Sequence, residues 1–333
     1  MGQQFKRQYR LLLGESAQKG LLLTSEDIST DTGITGLHMT FEINKDTTKE
    51  TNKSTIKIWN LSDESLDLIQ KEDLMIELSV GYANDIGLVR IFIGTLITCT
   101  TKDENNGLDT VTTIKCSDGQ IAVRDSIISQ SFPPNTSSMV VLKGTAQAMG
   151  LALDCAKDVQ AIQYANGYSF VGYAKDSLDA ICKAMGACWS IQNGMLQVIL
   201  NNGITRKQGL VFSPTSGLIG RPERIIRSSR KSNNVAEGER QEEKIVNVTG
   251  QLDITSALKQ RKKQRAKKRR KTSQAGWKIT TLLAPTVNPG DAIRIESRAV
   301  SGWFKVESVK HSGGIYKNDW TSEIHCIEVM LDE

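Results

Sequence analysis

The sequence predicts a mainly β protein with a small α+β module in the middle of the chain. Short segments of alternating apolar and polar residues, separated by turn residues, fill the first third and return in the last third. Between them the spacing of the apolar residues changes to that of helices. Many short alternating segments are typical of β-sandwiches and barrels. We therefore predict domains at 1–120, 121–204 and 205–333, the last interrupted by a polar and basic insert at about 230–275.

The first domain is predicted to consist of successive strands with one short helix. Turn residues such as Asp31–Gly33 and Glu104–Gly107 separate the strands. Ser62 is the predicted N-cap of the helix, with Leu66 and Ile69 facing the core. The strand segments are Phe5–Leu13, Leu37–Ile43, Ile56–Ile58, Met75–Val80, Val89–Ile97 and Val111–Cys116.

The middle domain is predicted to contain two helices and a hairpin. The first helix has Thr136 or Ser137 as its N-cap, and its apolar face is formed by Met139, Leu142, Ala146 and Met149. The second has Asp176 as its cap, and its apolar face is formed by Leu178, Ile181, Cys182 and Met185. The Asn193-Gly194 pair is the favoured type I′ turn for a hairpin over Trp189–Ile199.

The last domain repeats the pattern of the first. Three segments of the first domain, Asp73–Leu78, Ile91–Ile97 and Thr113–Cys116, align in order with Asp291–Glu296, Trp303–Val309 and Glu323–Cys326. A duplicated β unit accounts for this order and spacing. Chance similarity between amphipathic strands is the alternative.

Seven short motifs occur in one order along nearly the whole chain. They are Arg10-Leu-Leu-Leu-Gly14, Thr55-Ile-Lys-Ile-Trp-Asn-Leu-Ser62, Val80-Gly-Tyr82 with Ile91-Phe-Ile-Gly94, Cys116-Ser-Asp-Gly119, Ser213-Pro-Thr-Ser-Gly-Leu-Ile-Gly-Arg-Pro222, Thr281-Leu-Leu-Ala-Pro285 with Pro289-Gly290, and His311-Ser-Gly-Gly314 with Asp319-Trp-Thr-Ser-Glu323. In this order they resemble the central baseplate hub proteins of long-tailed, chiefly contractile, bacteriophages. The insert departs from that family, in which a much shorter connection joins the fifth motif to the sixth.

The resemblance implies a structural function in a phage tail. It implies two tail-tube-like β-barrel domains with the α+β module, and a homotrimeric ring around an axial channel. Six similar units in such a ring would match a sixfold tail tube above to a threefold spike below. The implied partners are the tail tube or tube-initiator protein and the spike protein, with tape-measure protein or DNA in the channel. The implied location is the virion, in the tail baseplate, after assembly in the cytoplasm of the host bacterium.

A basic run inside the insert is the candidate binding site. It contributes ten positive charges, whereas the chain has a net charge of only +5, so the remainder of the chain is mildly acidic. Its cations would cover every face of a helix, which excludes packing on a core. A solvated loop, a loop near the channel that contacts DNA or an acidic partner, and a sequence-specific nucleic-acid binder are the alternatives. The cations are Lys259, Arg261, Lys262, Lys263, Arg265, Lys267, Lys268, Arg269, Arg270 and Lys271.

The run also supports a different function for the whole protein. In this alternative the chain is a basic nucleic-acid-binding protein, and the β domains only display residues 259–271. Binding would then depend on phosphate contacts and fall steeply with salt. The run has no interleaved aromatic residues for base stacking.

Catalysis has little support in the sequence. His38, His311 and His325 are the only histidines, and each lies on or at the end of a predicted strand, where a structural role is expected. No HExxH, GxSxG or phosphate-binding GxxxxGK[ST] motif is present. We therefore predict no enzyme activity and no cofactor or metal. A tail-associated hydrolase is the weaker alternative, because the distance between two catalytic carboxylates cannot be read from sequence.

The sequence predicts neither a membrane span nor a disulfide framework. No stretch approaches the roughly 20 apolar residues of a membrane-spanning helix, and the first residues lack an apolar signal segment. The six cysteines form no CxxC pair, and Cys99, Cys116 and Cys326 fall on predicted strands. Folding in a reducing cytosol is expected.

Overall fold

A computed structural model of the chain describes residues 3–14, 19–25, 34–48, 51–69, 74–201, 203–205, 209–225, 276–316 and 319–329. Residues Met1–Glu223 and Lys278–Glu333 form one compact unit, and Arg224–Trp277 form a second. Only four residues of the second unit lie in the described ranges.

In the described ranges, the first third contains eight strands, one α-helix and one turn of 3₁₀ helix at Asn105–Gly107. As predicted, the backbone N–H of Ser65 donates to Ser62 Oγ at 3.3 Å at the start of the helix, and Ile69 is buried. The elements are β1 (Gln3–Gly14), β2 (Gly20–Thr24), β3 (Ile34–Thr35), β4 (Met39–Asp46), β5 (Lys53–Trp59), α1 (Asp63–Ile69), β6 (Met75–Asn84), β7 (Gly87–Glu104) and β8 (Asp109–Ser117).

The middle of the chain forms the expected α+β arrangement. Its elements are α2 (Gln120–Asp125), β9 (Ile127–Phe132), β10 (Thr136–Ser137), α3 (Ser138–Ala148), β11 (Ala152–Cys155), β12 (Gln163–Tyr164), β13 (Tyr168–Tyr173), α4 (Ala174–Ala184), β14 (Ala187–Gln192) and β15 (Met195–Leu200). Ser137 caps α3, since its side chain accepts from the N–H of Met139. Asn193 and Gly194 both have positive φ, as a type I′ turn between β14 and β15 requires.

The predicted cap of the second helix is wrong. Helix α4 begins at Ala174, directly after β13, and Tyr173 is its N-cap without a side-chain hydrogen bond. Asp176 lies instead in the first turn, where a carboxylate is favourable beside the positive end of the helix dipole. The predicted apolar face is confirmed, because Leu178, Ile181 and Cys182 are almost completely buried.

The last third contributes six strands to the sheet that the first third begins. They are β16 (Leu210–Phe212), β17 (Leu218–Ile225), β18 (Gly276–Leu282), β19 (Ala292–Glu296), β20 (Ser301–Gly314) and β21 (Trp320–Glu328). The sheet has fourteen strands in the order β17-β18-β21-β20-β4-β5-β8-β7-β6-β1-β2-β3, with β19 pairing β20 and β16. No helix in the described ranges is long and apolar enough to cross a membrane.

Strand β20 joins the two β regions. Its first residues, 301–305, pair with β19, and residues 308–314 pair antiparallel with β4. The two predicted barrel domains are therefore connected through one continuous sheet. In the part of the chain that the structure describes, the strands form no closed barrel, because the strand order ends at β17 and at β3. The prediction of closed barrels is corrected, because the edge of β4 pairs with β20 and joins the two regions.

The strand order of the first third is repeated in the last third. Strands β4-β5-β8-β7-β6-β1 and strands β17-β18-β21-β20-β19-β16 are neighbours in the same sequence of positions. The outermost pair differs, since β1 is antiparallel to β6 whereas β16 is parallel to β19. This order agrees with the predicted duplication.

Pairing registers correct part of the predicted alignment. Leu96 pairs with Cys116 just before a bulge, and Val306 pairs with Cys326 just before another, so equivalent residues differ by 210 in number. The third predicted segment pair agrees with this difference, whereas the second was out of register by two residues. The first was out of register by one, because Thr95 pairs with Met75 and the equivalent Lys305 pairs with Ala292. Period-two amphipathic strands align equally well after a shift of two residues, so the pattern alone could not set the register.

Two apolar cores lie beneath these elements. One is built from residues between Tyr9 and Cys116 and includes Leu283 and Trp320 from the last third, with the ring of Trp320 edge-on to Phe41 at 5.4 Å. The other consists only of residues between Ile128 and Val198, including the buried faces of α3 and α4. The α+β module thus has its own core, whereas the two β regions share side chains.

Candidate functional site

The candidate site is a buried polar joint centred on Lys45. This side chain is 3% exposed and lies on β4 after the inward-facing Met39, Phe41 and Ile43. Its Nζ donates to Asn193 Oδ1 at 2.8 Å and to Asn288 Oδ1 at 2.9 Å. One ammonium group therefore connects β4, the β14–β15 turn and the segment before β19.

Asp118 completes this joint. Its carboxylate accepts from the backbone N–H groups of Asn193 at 2.6 Å and Gly194 at 3.2 Å. Burial raises the pKa of Asp118 to about 6, although the nearby charge of Lys45 and these two N–H groups oppose the rise. Burial lowers the pKa of Lys45 to about 8, and Asp118 and Asp291 oppose that change. At neutral pH both groups are mainly charged, so each is the other's counter-ion in a low-dielectric site.

A second set of buried hydrogen bonds holds the α+β module to the β4–β5 turn. Asn52 Nδ2 donates to the carbonyl of Ile191 at 3.2 Å and to Gln192 Oε1 at 3.3 Å. Gln192 Nε2 donates in return to the carbonyl of Asp46 at 2.6 Å. Since buried polar groups are costly when unsatisfied, this network favours one relative placement of the turn and the hairpin.

A third tie runs from β20 to the end of β15. Lys305 is 1% exposed, and its Nζ donates to the carbonyl of Asn201 at 3.2 Å and lies 3.7 Å from Glu307 Oε1. The three ties together connect the α+β module to both β regions. These contacts fix the position of the α+β module relative to the sheet.

The histidines are packing residues. His38 stacks on Trp59 with ring centroids 4.1 Å apart. His311 is completely buried, its Nδ1 lies 2.8 Å from Ser322 Oγ, and burial together with the charge of Lys45 lowers its pKa to about 3. His325 is half-buried. Among the residues that the structure describes, no group of three or more His, Cys, Asp or Glu side chains could hold a metal ion.

The basic run lies outside the described residues. All ten of its predicted contact residues, from Lys259 to Lys271, fall within 226–275, the segment that connects β17 to β18. In the first repeat the equivalent connection, between β4 and β5, covers only residues 47–52. The predicted role of the run therefore stays a prediction.

Sequence reasoning missed the buried joint, although one signal for it was present. Alternation along β4 puts Lys45 on the same face as Phe41 and Ile43, and a lysine at an inward position needs a buried partner. The partners Asp118 and Asn288 come from distant parts of the chain, so no local pattern could supply them.

Comparison with known proteins identifies the family of this chain. The family model described as Baseplate hub gp41 matches residues 22–224, which is more than half of the chain. The chain belongs to this family of baseplate hub proteins. As a baseplate hub protein it has a structural role in the phage tail. No curated protein matches the chain.

Two solved structures resemble this chain in fold over nearly its whole length. The 43 kDa tail protein of prophage MuSo2 from Shewanella oneidensis is 10% identical with a TM-score of 0.60, and the alignment covers 96% of each chain. The tail protein from Neisseria meningitidis MC58 is 11% identical with a TM-score of 0.59, covering 97% of each chain. At this identity the likeness shows the fold alone. It includes the last third, which lies beyond the family match.

Proposed function

We propose that three copies of this hub protein form a ring that joins the sixfold tail tube to the threefold spike and leaves an axial channel. The repeated strand order carries the proposal, because it gives each chain two similar β units. Three chains then present six similar units toward a sixfold partner while keeping threefold symmetry toward another. Head-to-tail contacts generate such a ring when the rotation closes.

The mechanism is geometric. Each chain would act as one rigid segment of the ring, because the Lys45 joint and the Asn52–Gln192 bonds fix the α+β module against the sheet. The proposed layout has two tube-like β domains, 1–120 and 205–333, around the α+β domain at 121–204. The separate core of the middle domain supports this division. No catalytic step is part of the proposal.

The proposed partners are the tail tube or tube-initiator protein on one side and the spike protein on the other. The basic run at 259–271 is proposed to contact an acidic partner, either tape-measure protein or DNA. Assembly in the cytoplasm of the host bacterium would precede incorporation into the virion tail.

Light scattering and electron microscopy of the purified chain test the ring. We expect about 110 kDa, three times the chain mass of 36.7 kDa, and threefold particles with a central channel. A stable monomer whose tight, salt-sensitive DNA binding disappears on deletion of 259–271 would contradict the hub and favour the nucleic-acid-binding alternative.

A further inference from the structure

The joint between β20 and β4 shows how two of the repeated units pair within one chain. Residues 308–314 of β20 run antiparallel to β4, with Lys310 opposite Asn44. Lys310 Nζ also lies 2.9 Å from Glu42 Oε1 across this pair of strands. The joint uses the part of β20 that extends beyond its pairing with β19.

Matching backbone contacts define the equivalent residues of the two units. The N–H of Asn60 donates to the carbonyl of Thr110 at 2.9 Å, and the N–H of Leu283 donates to that of Trp320 at 3.0 Å. Trp320 differs from Thr110 by 210 in number, the same difference that the two bulges give. The two hydrogen bonds therefore occupy equivalent positions in the two repeats.

A second pair of contacts relates β17 to β4. The N–H of Trp59 donates to the carbonyl of His38 at 3.0 Å, and the N–H of Leu282 donates to that of Gly217 at 2.8 Å. Leu282 and Trp59 differ by 223, as do Leu283 and Asn60, so the two sets of contacts are consistent. Gly217 is then the equivalent of His38, and the equivalent of Asn44 is Glu223.

The equivalents of the two strand edges that form this joint are both unpaired in the described part of the chain. Strand β7 pairs with β6 only up to Thr95, and residues 98–104 continue beyond it with one edge open. They are the equivalents of 308–314, and all except Cys99 are exposed. Strand β17 ends the sheet, so its outer edge, equivalent to the edge of β4 that β20 covers, is also open.

We infer that residues 98–104 of one copy pair antiparallel with β17 of the next copy, in the register that places Thr100 opposite Glu223. The inference rests on the proposed ring and names its contact. Each chain offers one extension of β7 and one β17 edge, so the contact is head-to-tail and identical at every subunit boundary. Internal and intermolecular joints would then alternate around six units.

The side chains of the two segments give this register both favourable and unfavourable neighbours. On the shared face Lys102 is diagonal to Glu223, and Glu104 is diagonal to Arg221, within reach of long side chains. Lys102 also lies directly opposite Arg221, so these acidic neighbours are needed to offset a like-charge pair. Pro222 has no N–H to donate, and we expect a ladder with fewer hydrogen bonds than the internal one.

Disulfide trapping tests the register. Residues directly opposite in an antiparallel pair have Cα atoms about 4.5–5.5 Å apart, which is within the range that a disulfide requires. We expect the double variant Thr100→Cys/Glu223→Cys of the full chain to form covalent dimers and trimers on mild oxidation, seen on non-reducing gels. Each single variant and the natural chain, with its six free cysteines, should not.

Two further variants serve as controls. Asn44→Cys/Lys310→Cys has the same geometry inside one chain and should close a disulfide within the monomer band. Lys57→Cys/Glu223→Cys pairs β17 with an exposed position on β5, inside the sheet, and should give no covalent oligomer. Light scattering on every variant before oxidation reports whether the ring is present.

The outcomes separate the two proposals. Covalent trimers from the first variant alone support the pairing. Particles of trimer mass that remain uncrosslinked, while Asn44→Cys/Lys310→Cys closes, overturn the pairing and leave the ring intact. A monomer under all conditions overturns the ring and the pairing with it.

Discussion

Replacement of Lys45 by methionine tests whether the buried joint determines how the parts of the hub protein are held. Methionine preserves much of the apolar stem but removes the ammonium that donates to Asn193 and Asn288. Asp118, 2% exposed, then loses the cation that most lowers its pKa. Removing a buried cation so that a nearby buried carboxylate keeps an uncompensated charge costs about 3–5 kcal/mol of unfolding free energy. We expect that loss in urea denaturation, analysed as a two-state transition once coincident probes support that treatment.

Lys310→Met is the matched control for this prediction. Lys310 also lies on the sheet and forms an ion pair at 2.9 Å, but its side chain is 38% exposed and that of Glu42 is 49% exposed. Exposed pairs contribute about 0–1 kcal/mol. If Lys45→Met costs no more than Lys310→Met, the joint is not a significant source of stability and the reasoning is wrong.

The pH dependence of Lys45→Met gives a second check with a defined sign. Without the ammonium, the pKa of Asp118 in the folded protein should rise further above its ordinary value. A group with a raised folded-state pKa stabilises the fold at low pH, and that stability is lost as pH rises through the folded-state pKa. The destabilisation by Lys45→Met should therefore be smaller at pH 5 than at pH 8. An equal loss at both values would show that Asp118 does not respond to Lys45.

Three further predictions concern other parts of the chain. Because His311 has a lowered pKa of about 3, protonation of the unfolded state should remove about 2 kcal/mol of stability between pH 7 and pH 5, and His311→Asn should reduce that dependence in urea titrations. Trp320→Ala, which removes a ring packed on Phe41, should cost about 3–5 kcal/mol, whereas Val171→Ala at a position 76% exposed should stay within about 0.5 kcal/mol. Glutamine in place of the ten cations of 259–271 should weaken DNA binding and lower its salt slope by about 0.9 for each phosphate that is no longer neutralised; an unchanged slope would place any DNA-binding surface elsewhere.

Local signals predicted α1, α3, α4 and the hairpin because each depends on neighbouring residues, whereas α2 was not predicted. Ser62 and Ser137 lie at helix starts where a side-chain oxygen can accept from the first turn. Asn193 and Gly194 tolerate the positive φ of a type I′ turn. Asp176 was misassigned because β13 runs directly into α4, and the helix begins without a polar cap. The buried face with Leu178 and Ile181 was predicted correctly because it depends on spacing within the helix and not on its first residue.

The pairing of strands that are distant in the chain could not be predicted from the sequence. Strand β20 has one period-two pattern, yet its first part pairs with β19 and its second with β4, more than 250 residues away in the chain. Nothing in the alternation distinguishes these parts. The same limit applied to Lys45, whose inward position was visible but whose partners were not. The repeat was detectable because the equivalent strands occur in the same order, whereas its register needed the bulges after Leu96 and Val306.

The position of the insert explains how the family pattern tolerates it. Residues 226–275 connect two strands that are neighbours in the sheet, and the hydrogen bonds on either side of the connection are those of the first repeat. Gly217 still accepts from Leu282 as His38 accepts from Trp59, so the register of β17 against β18 is the one found without an insert. Longer connections at such a position raise the entropic cost of closure only slowly with length. The connection can therefore carry ten cations while β17 keeps against β18 the register that β4 has against β5.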